Sequence, residues 1–252
     1  MLSTSFPSRS DAQGDFLAQQ QQYGRVREAL RAKGPALARQ LGARGLETGA
    51  LNILFVVYKA EGVLELHAKK ADAARYAKLT SYPICAASGT LGPKRRQGDR
   101  QVPEGFYHID RFNPASNYHL SLGVSYPNAA DRLRSGAADP GGDIFIHGAC
   151  VTVGCLPMTD DKIKEIYLYA LYSRASGQKE IPVYIFPFRM TPENMEKHAV
   201  LFAKRPELRP FWQNLREGYD SFVTHGEALA PRVARNGDYS FGRGDAADAD
   251  PR

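Results

Sequence analysis

From Leu51 to Phe188 the chain is cut into short β-prone runs, each stopped within a few residues by Gly, Pro, Asn or Asp. The runs read NILFVVYK, VLELHAK, SYPICAAS, GFYHID, NYHLSLGVSY, DIFIHG and PVYIFPF. Their Val, Ile, Phe and Tyr side chains suit a pleated surface, and the breakers between them set where strands stop. Strands packed this closely leave no room for a helix between each pair. The spacing therefore predicts a strand-rich, mostly antiparallel core rather than regularly alternating βα units.

Helical patterns sit around that core. Residues 15–48 form an N-terminal helical segment: Val26, Leu30, Leu37 and Leu41 fall on one stripe, and Gly34-Pro35 is expected to break it. Thr159 is a good N-cap, followed by Asp160 and Asp161 and by Ile163, Ile166, Tyr167, Ala170 and Leu171 on one face. Thr191-Pro192-Glu193 opens another helix, and a third carries Phe211, Leu215 and Tyr219. The whole reads as an α+β chain with a polar, disordered leader over 1–14, a strand-rich body over 49–190 and helices over 191–225. A mostly disordered tail follows over 226–252, ending in GRGDAADADPR.

An apolar fraction of 43% excludes global disorder, and the net charge of +6 favours acidic partners. Lys94-Arg95-Arg96 is the only three-residue basic run and reads as a solvated loop, so no nucleic-acid module is indicated. No window approaches the ~20 apolar residues of a membrane span. The N-terminus lacks the apolar core of a secretory leader. The chain therefore either stays inside the cell or is exported with a leader that this sequence does not carry. Cys85, Cys150 and Cys155 are too few for a disulfide framework, and an odd count leaves a free thiol.

The chemistry concentrates in IFIHGACVTVGCLPMTDD, residues 144–161. A buried strand delivers His147, Gly148 frees the backbone to turn, and Cys155 lies between Gly154 and a helix start. An unperturbed thiol is only about 3% thiolate at pH 7, so a nucleophilic Cys needs a base. An imidazole eight residues away across a strand reversal can take its proton and later protonate a leaving amine. The helix start, or a protonated His147, would also favour thiolate. The Gly154 and Cys155 amides are candidate donors to an oxyanion. Three other readings stand beside this Cys–His acyl-transfer site. Cys85 and Cys150 read as buried, structural thiols. His147, Cys150 and Cys155 are all zinc-ligand types, although the spacing lacks a CxxC knuckle and no fourth ligand is near. A Cys150–Cys155 disulfide would block the nucleophile. His108 and His119 sit in strand-like alternation as satisfied rings, and His67, His198 and His225 carry no motif.

The pattern His147-Gly148, then Thr152-x-Gly154-Cys155-x-x-Met158, resembles the signature of the L,D-transpeptidase (YkuD-type) family. Ala87-Ser88-Gly89 through Val102-Pro103-Glu104-Gly105-Phe106-Tyr107 resembles that family's second conserved stretch. SYPICAASGTLGPK, GDRQVPEGFY, YHLSLGVSYPNAADR, GCLPMTD and IFPFRMTPENM bring it closest to the YafK-like branch, over roughly residues 30–225. Val153 stands where most members carry a second His, and Pro157 where they carry Arg or Asn. The His-to-Cys interval is shorter too, which leaves the acyl acceptor open.

The resemblance implies a catalytic domain that works on peptidoglycan stem peptides without a cofactor. Cys155 would be the nucleophile, His147 the general acid/base, the Gly154 and Cys155 amides the oxyanion hole, and Thr152 a support for the loop. The thiolate would attack the L-centre carbonyl of meso-diaminopimelate, and the branch implies hydrolysis that frees a Braun-type lipoprotein. Cross-linking and a non-catalytic peptidoglycan binder are the alternatives. Tyr126, Asn128 and Arg132, with Lys94, are candidate substrate contacts, Arg132 for a stem-peptide carboxylate. Such a substrate places the protein in the periplasm, or makes it an effector exported by another route.

Overall fold

A computed structural model describes residues 16–241. The expected leader over 1–14 and the acidic end over 242–252 lie outside the described residues. Eight strands form one sheet in the order β3-β2-β1-β8-β4-β5-β6-β7. They are β1 (Leu51–Tyr58), β2 (Val63–Lys70), β3 (Ala77–Pro83), β4 (Gly105–Asn113), β5 (Ser121–Val124), β6 (Phe145–His147), β7 (Leu156–Pro157) and β8 (Pro182–Phe186). Only β1 with β8 and β6 with β7 pair in parallel; the other five pairings are antiparallel.

The central strands β1 and β8 are almost wholly apolar because both of their faces are covered. In β1, Leu51, Ile53, Phe55 and Val57 enter one core, whereas Leu54, Val56 and Tyr58 enter a second. In β8, Val183 and Ile185 join the first core, and Tyr184 and Phe186 the second. The first core is closed by α1 (Gly24–Gly42) and by α3 (Asp160–Ala175), which is buried nearly all round. The second is closed by α5 (Leu208–His225), whose Phe211, Trp212, Leu215, Tyr219 and Phe222 face the sheet. Two shorter helices, α2 (Ala129–Ser135) and α4 (Pro192–Leu201), complete the fold. Beyond β4 the short strands β5 to β7 contribute to the first core alone.

Three expectations change. The N-terminal helix is not broken: α1 runs through Gly34-Pro35. Val26 and Ala29 on one side of the proline and Leu37 and Leu41 on the other are all buried, and tertiary packing of that kind outweighs one lost hydrogen bond. Gly34 lies close to α3, since a Cβ there would meet Tyr172 Oη at 3.4 Å. Next, SYPICAAS is not one strand. β3 ends at Pro83, and residues 84–88 leave the sheet. Last, residues 226–241 are ordered. β9 (Arg232–Val233) and β10 (Tyr239–Ser240) form a small hairpin. Tyr239 and Phe241 both meet Phe106 at 5.0 Å between ring centroids, and Asn214 bonds both the amide and the carbonyl of Tyr239.

A buried ion pair fixes the loop between β3 and β4. Lys59 Nζ donates to Glu104 Oε1 at 2.8 Å and to the carbonyls of Gly92 and Val102 at 2.8 Å each. Glu104 is fully buried; it also accepts from the Gly92 amide at 2.7 Å and from Trp212 Nε1 at 2.9 Å. One carboxylate thus joins β1, the loop and α5. Glu104→Ala strands the Lys59 ammonium in the interior and is expected to cost about 3–5 kcal/mol. Calorimetric unfolding at pH 7 checks it; a loss under about 1 kcal/mol would show that the pair does not hold the loop.

Candidate active site

Cys155 lies one residue before β7 and His147 ends β6. The parallel register pairs Ile146 with Leu156 and His147 with Pro157. Ile146 and Leu156 point into the first core. Side chains alternate along a strand, so Phe145, His147, Cys155 and Pro157 share the opposite face. With strands about 4.8 Å apart and a rise of about 3.3 Å per residue, the Cα atoms of Cys155 and His147 stand roughly 8 Å apart. That separation suits a thiol and an imidazole that must meet across a substrate.

The reversal between them is built on close approaches. A Cβ on Gly148 would lie 2.6 Å from Asp160 Oδ1 and 2.8 Å from the Tyr118 carbonyl. Asp160, the first residue of α3, accepts the Ala149 amide at 2.8 Å, so the helix start holds the loop. Gly154 has φ of +97°, and a Cβ there would meet the Gln101 carbonyl at 3.1 Å. Thr152 closes the turn: its hydroxyl accepts the Cys155 amide and donates to the Cys155 carbonyl, each at 2.9 Å.

Cys85 and Cys150 form a disulfide, with Cα atoms 5.6 Å apart. This replaces both readings of these residues as separate buried thiols and the Cys150–Cys155 bridge. It also removes Cys150 from any zinc site, because a disulfide sulfur is not a thiolate ligand. Residues 84–88 need an anchor once they leave the sheet. The bond supplies it, together with the Cys85 amide donating to the Pro157 carbonyl at 3.1 Å. Cys155 is the free cysteine.

The Cys155 side chain is half-buried and opens into a cavity of about 320 Å³ lined by Ile84, Ala86, Ala87, Ser88 and Leu91. Its sulfur lies 3.5 Å from the Asp143 carbonyl. Burial pushes the thiol up; the Phe145 amide opposes this, the Asp143 charge adds to it and the Lys94 ammonium opposes it. No thiolate is preformed, contrary to the expected help from a helix start or an imidazolium. His147 Nδ1 donates to the Gly148 carbonyl at 2.6 Å. Burial holds the ring below the ordinary histidine value, so it is neutral at pH 7 with Nε2 as its basic atom. Tyr118, 47% exposed, lies over this ring at 4.7 Å between centroids. No hydrogen bond joins His147 to the sulfur among the described residues. The arrangement is a neutral base and a neutral thiol on one strand face.

Residues 54–185 match the family model of the L,D-transpeptidase catalytic domain, YkuD. The chain belongs to the L,D-transpeptidase family. Two Escherichia coli proteins, from strains K12 and O157:H7, both named "Putative L,D-transpeptidase YafK", are each 40% identical over 168 residues. That region is 66% of this chain and 64% of theirs, so the match spans a little under two thirds of those relatives. Among solved structures, the helical cell shape determining protein Pgp2 of Campylobacter jejuni is 16% identical with a TM-score of 0.43, over 78% of this chain and 79% of that one. L,D-transpeptidase 1 of Mycobacterium tuberculosis is 14% identical with a TM-score of 0.31, over 54% and 62%.

Within an L,D-transpeptidase domain the remaining candidates fall out differently. Neither amide expected in the oxyanion hole is open: Gly154 N–H donates to Ser88 Oγ at 2.7 Å and Cys155 N–H to Thr152 Oγ1. Three of the four proposed substrate contacts are spent inside the fold. Tyr126 is buried, its hydroxyl donating to the carbonyls of Lys94 and Pro140. Asn128 caps α2 in a reciprocal box with Asp131, and its Nδ2 donates to Phe106 O and Tyr239 Oη. Lys94 is buried against Asp99 at 2.8 Å. Arg132 is exposed and makes no ion pair among the described residues. Sequence reasoning gave no role to Ser88, Tyr118 or Asp143. Ser88-Gly89 in the second conserved stretch was a usable signal; the other two show only in three dimensions.

Two outcomes follow for the free protein. Denatured without reductant it should present one reactive thiol, and three after reduction, by thiol titration. Alkylation of native Cys155 should rise with pH through an inflection above the ordinary thiol value of about 8.5. An inflection near neutrality would instead mean a preformed thiolate.

Proposed function

We propose that this L,D-transpeptidase-family domain is a cysteine acyl-transferase acting on peptidoglycan stem peptides, with water as its main acceptor. The observation that carries the reading is Cys155 itself: one thiol kept out of the disulfide, open to a cavity and on the same strand face as a neutral histidine.

In the first half-reaction His147 Nε2 takes the thiol proton as sulfur attacks the L-centre carbonyl of meso-diaminopimelate. The same ring returns that proton to the departing amine, leaving a thioester on Cys155. In the second half-reaction His147 takes a proton from water, hydroxide adds to the thioester, and the thiolate leaves and is reprotonated. The free carboxyl of diaminopimelate is the product. When the departing amine belongs to a Braun-type lipoprotein, the reaction is an amidase that detaches it. Deprotonation on demand suits the raised thiol and the lowered imidazole, since neutral His147 is the competent form. The Cys85–Cys150 disulfide supports a compartment outside the inner membrane, where such bonds persist and the wall is found. No helix among the described residues is long and apolar enough to cross a membrane.

Cys155→Ala should abolish release of lipoprotein-linked or stem-peptide fragments from muropeptides, read by mass spectrometry. Wild-type digests from that variant would end the reading. Adding an amine-bearing stem peptide separates the outcomes, because free peptide marks hydrolysis and diaminopimelate–diaminopimelate dimers mark cross-linking. The acid limb of kcat/KM should fall below the ordinary histidine value of about 6.5, because protonation of buried His147 removes the base.

A further inference from the structure

A tetrahedral intermediate at Cys155 places negative charge on the former carbonyl oxygen, and some donor in the cavity must meet it. In this structure the Gly154 amide is bonded to Ser88 Oγ and the Cys155 amide to Thr152 Oγ1. The two hydroxyls differ in what remains to them. Thr152 has already given its proton to the Cys155 carbonyl at 2.9 Å. Ser88 accepts through oxygen at 2.7 Å and has no acceptor for its own O–H among the described residues, and Ser88 and Cys155 line the same cavity.

Ser88 is also held rigidly. Gly89, at φ of +69°, is pressed so close to residues 100–101 that a Cβ would lie 2.6 Å from Gln101 Oε1 and 2.7 Å from the Arg100 carbonyl. Gln101 Oε1 accepts the Thr90 amide at 3.0 Å, and the Gln101 carbonyl packs on Gly154. Gln101 is therefore wedged between the turn bearing Ser88 and the turn bearing Cys155, and it fixes one against the other. A donor fixed before the reaction needs no reorganisation when charge develops, and that is the condition for strong oxyanion stabilisation.

From this arrangement we propose that the Ser88 hydroxyl, oriented by the Gly154 amide, donates to the oxyanion formed at Cys155 and is a catalytic residue. The inference rests on the acyl-transfer reading of Cys155, but not on the identity of the natural substrate. The Gly154 N–H polarises the Ser88 oxygen and makes its proton a better donor, so the amide acts through the hydroxyl.

Two reagents separate the roles. Acylation of Cys155 by a p-nitrophenyl acetate ester passes through an oxyanion, whereas alkylation by iodoacetamide is a direct displacement without one. Ser88→Ala should slow the acylation burst by about a hundredfold and leave alkylation unchanged across pH. Ser88→Thr, which keeps the hydroxyl, should recover to within about fivefold of wild type. Equal acylation by wild type and Ser88→Ala would overturn the proposal, with the released Gly154 amide taking over. Parallel loss of acylation and alkylation would also overturn it, since Ser88 would then serve the thiol or the loop. A Thr variant as slow as Ala would do the same. Acylation of wild type by the ester with no turnover of muropeptides would defeat the substrate reading while the Ser88 comparison still gave its answer.

Discussion

The site depends on a two-residue parallel ladder. β6 and β7 are joined in the register His147 to Pro157, with seven residues of loop between His147 and Cys155. A parallel pair ordinarily needs a long crossover, because the chain must travel back to its starting level. Here the return is made in a loop, and side-chain bonds hold it in place of helix packing. Asp160 takes the Ala149 amide, Thr152 closes on Cys155, Ser88 takes the Gly154 amide, and a disulfide ties Cys150 to the segment after β3. Remove that set and nothing in the sheet alone would keep the thiol on the same face as the imidazole.

Electrostatics around the ladder favour neutrality on both partners. Burial lowers the imidazole and raises the thiol, so the resting pair is uncharged at neutral pH. Cysteine sites that hold a thiolate at rest are reactive toward any electrophile that reaches them. In the mechanism proposed above, such a neutral pair becomes nucleophilic only when the carbonyl is in place and the proton has somewhere to go. The loop lining the cavity is in turn backed by Lys59, Glu104 and Trp212, so the position of the pocket wall is set from the second core and from α5.

The strand-rich body was legible because β1 and β8 carry apolar residues on both faces, and that demand shows in the runs themselves. Gly-Pro in α1 misled because the proline rule is local, whereas the packing of Val26, Leu37 and Leu41 is not. The tail misled for a similar reason: its polar composition hides Tyr239, which is buried, and Phe241, which is partly buried, both packed against Phe106. At the site, Cys155, His147 and Thr152 stood out through their spacing around glycines. The Cys85–Cys150 pair did not, since 65 residues of separation carry no sign of contact. Tyr126 and Asn128, in SYPNAADR, and Lys94, on the Gly92-Pro93 loop, looked like substrate contacts because they are polar and lie in segments that carry the family resemblance. Sequence could not show that buried carbonyls and carboxylates had already claimed their donors.

The Cys85–Cys150 bond turns residues 85–150 into a covalent ring, and that ring encloses β4, β5, α2 and β6. In the chain-entropy account, closing a circuit of this length removes about 4 kcal/mol of freedom from the unfolded chain. The saving goes to one half of the molecule only. β1, β2 and β8, with α3 and α5, lie outside the circuit and stand on their own packing. In a reducing environment the far end of the sheet would lose this restraint while the middle kept its own, so the turn that carries Cys155 is the part of the fold most exposed to loss of that bond.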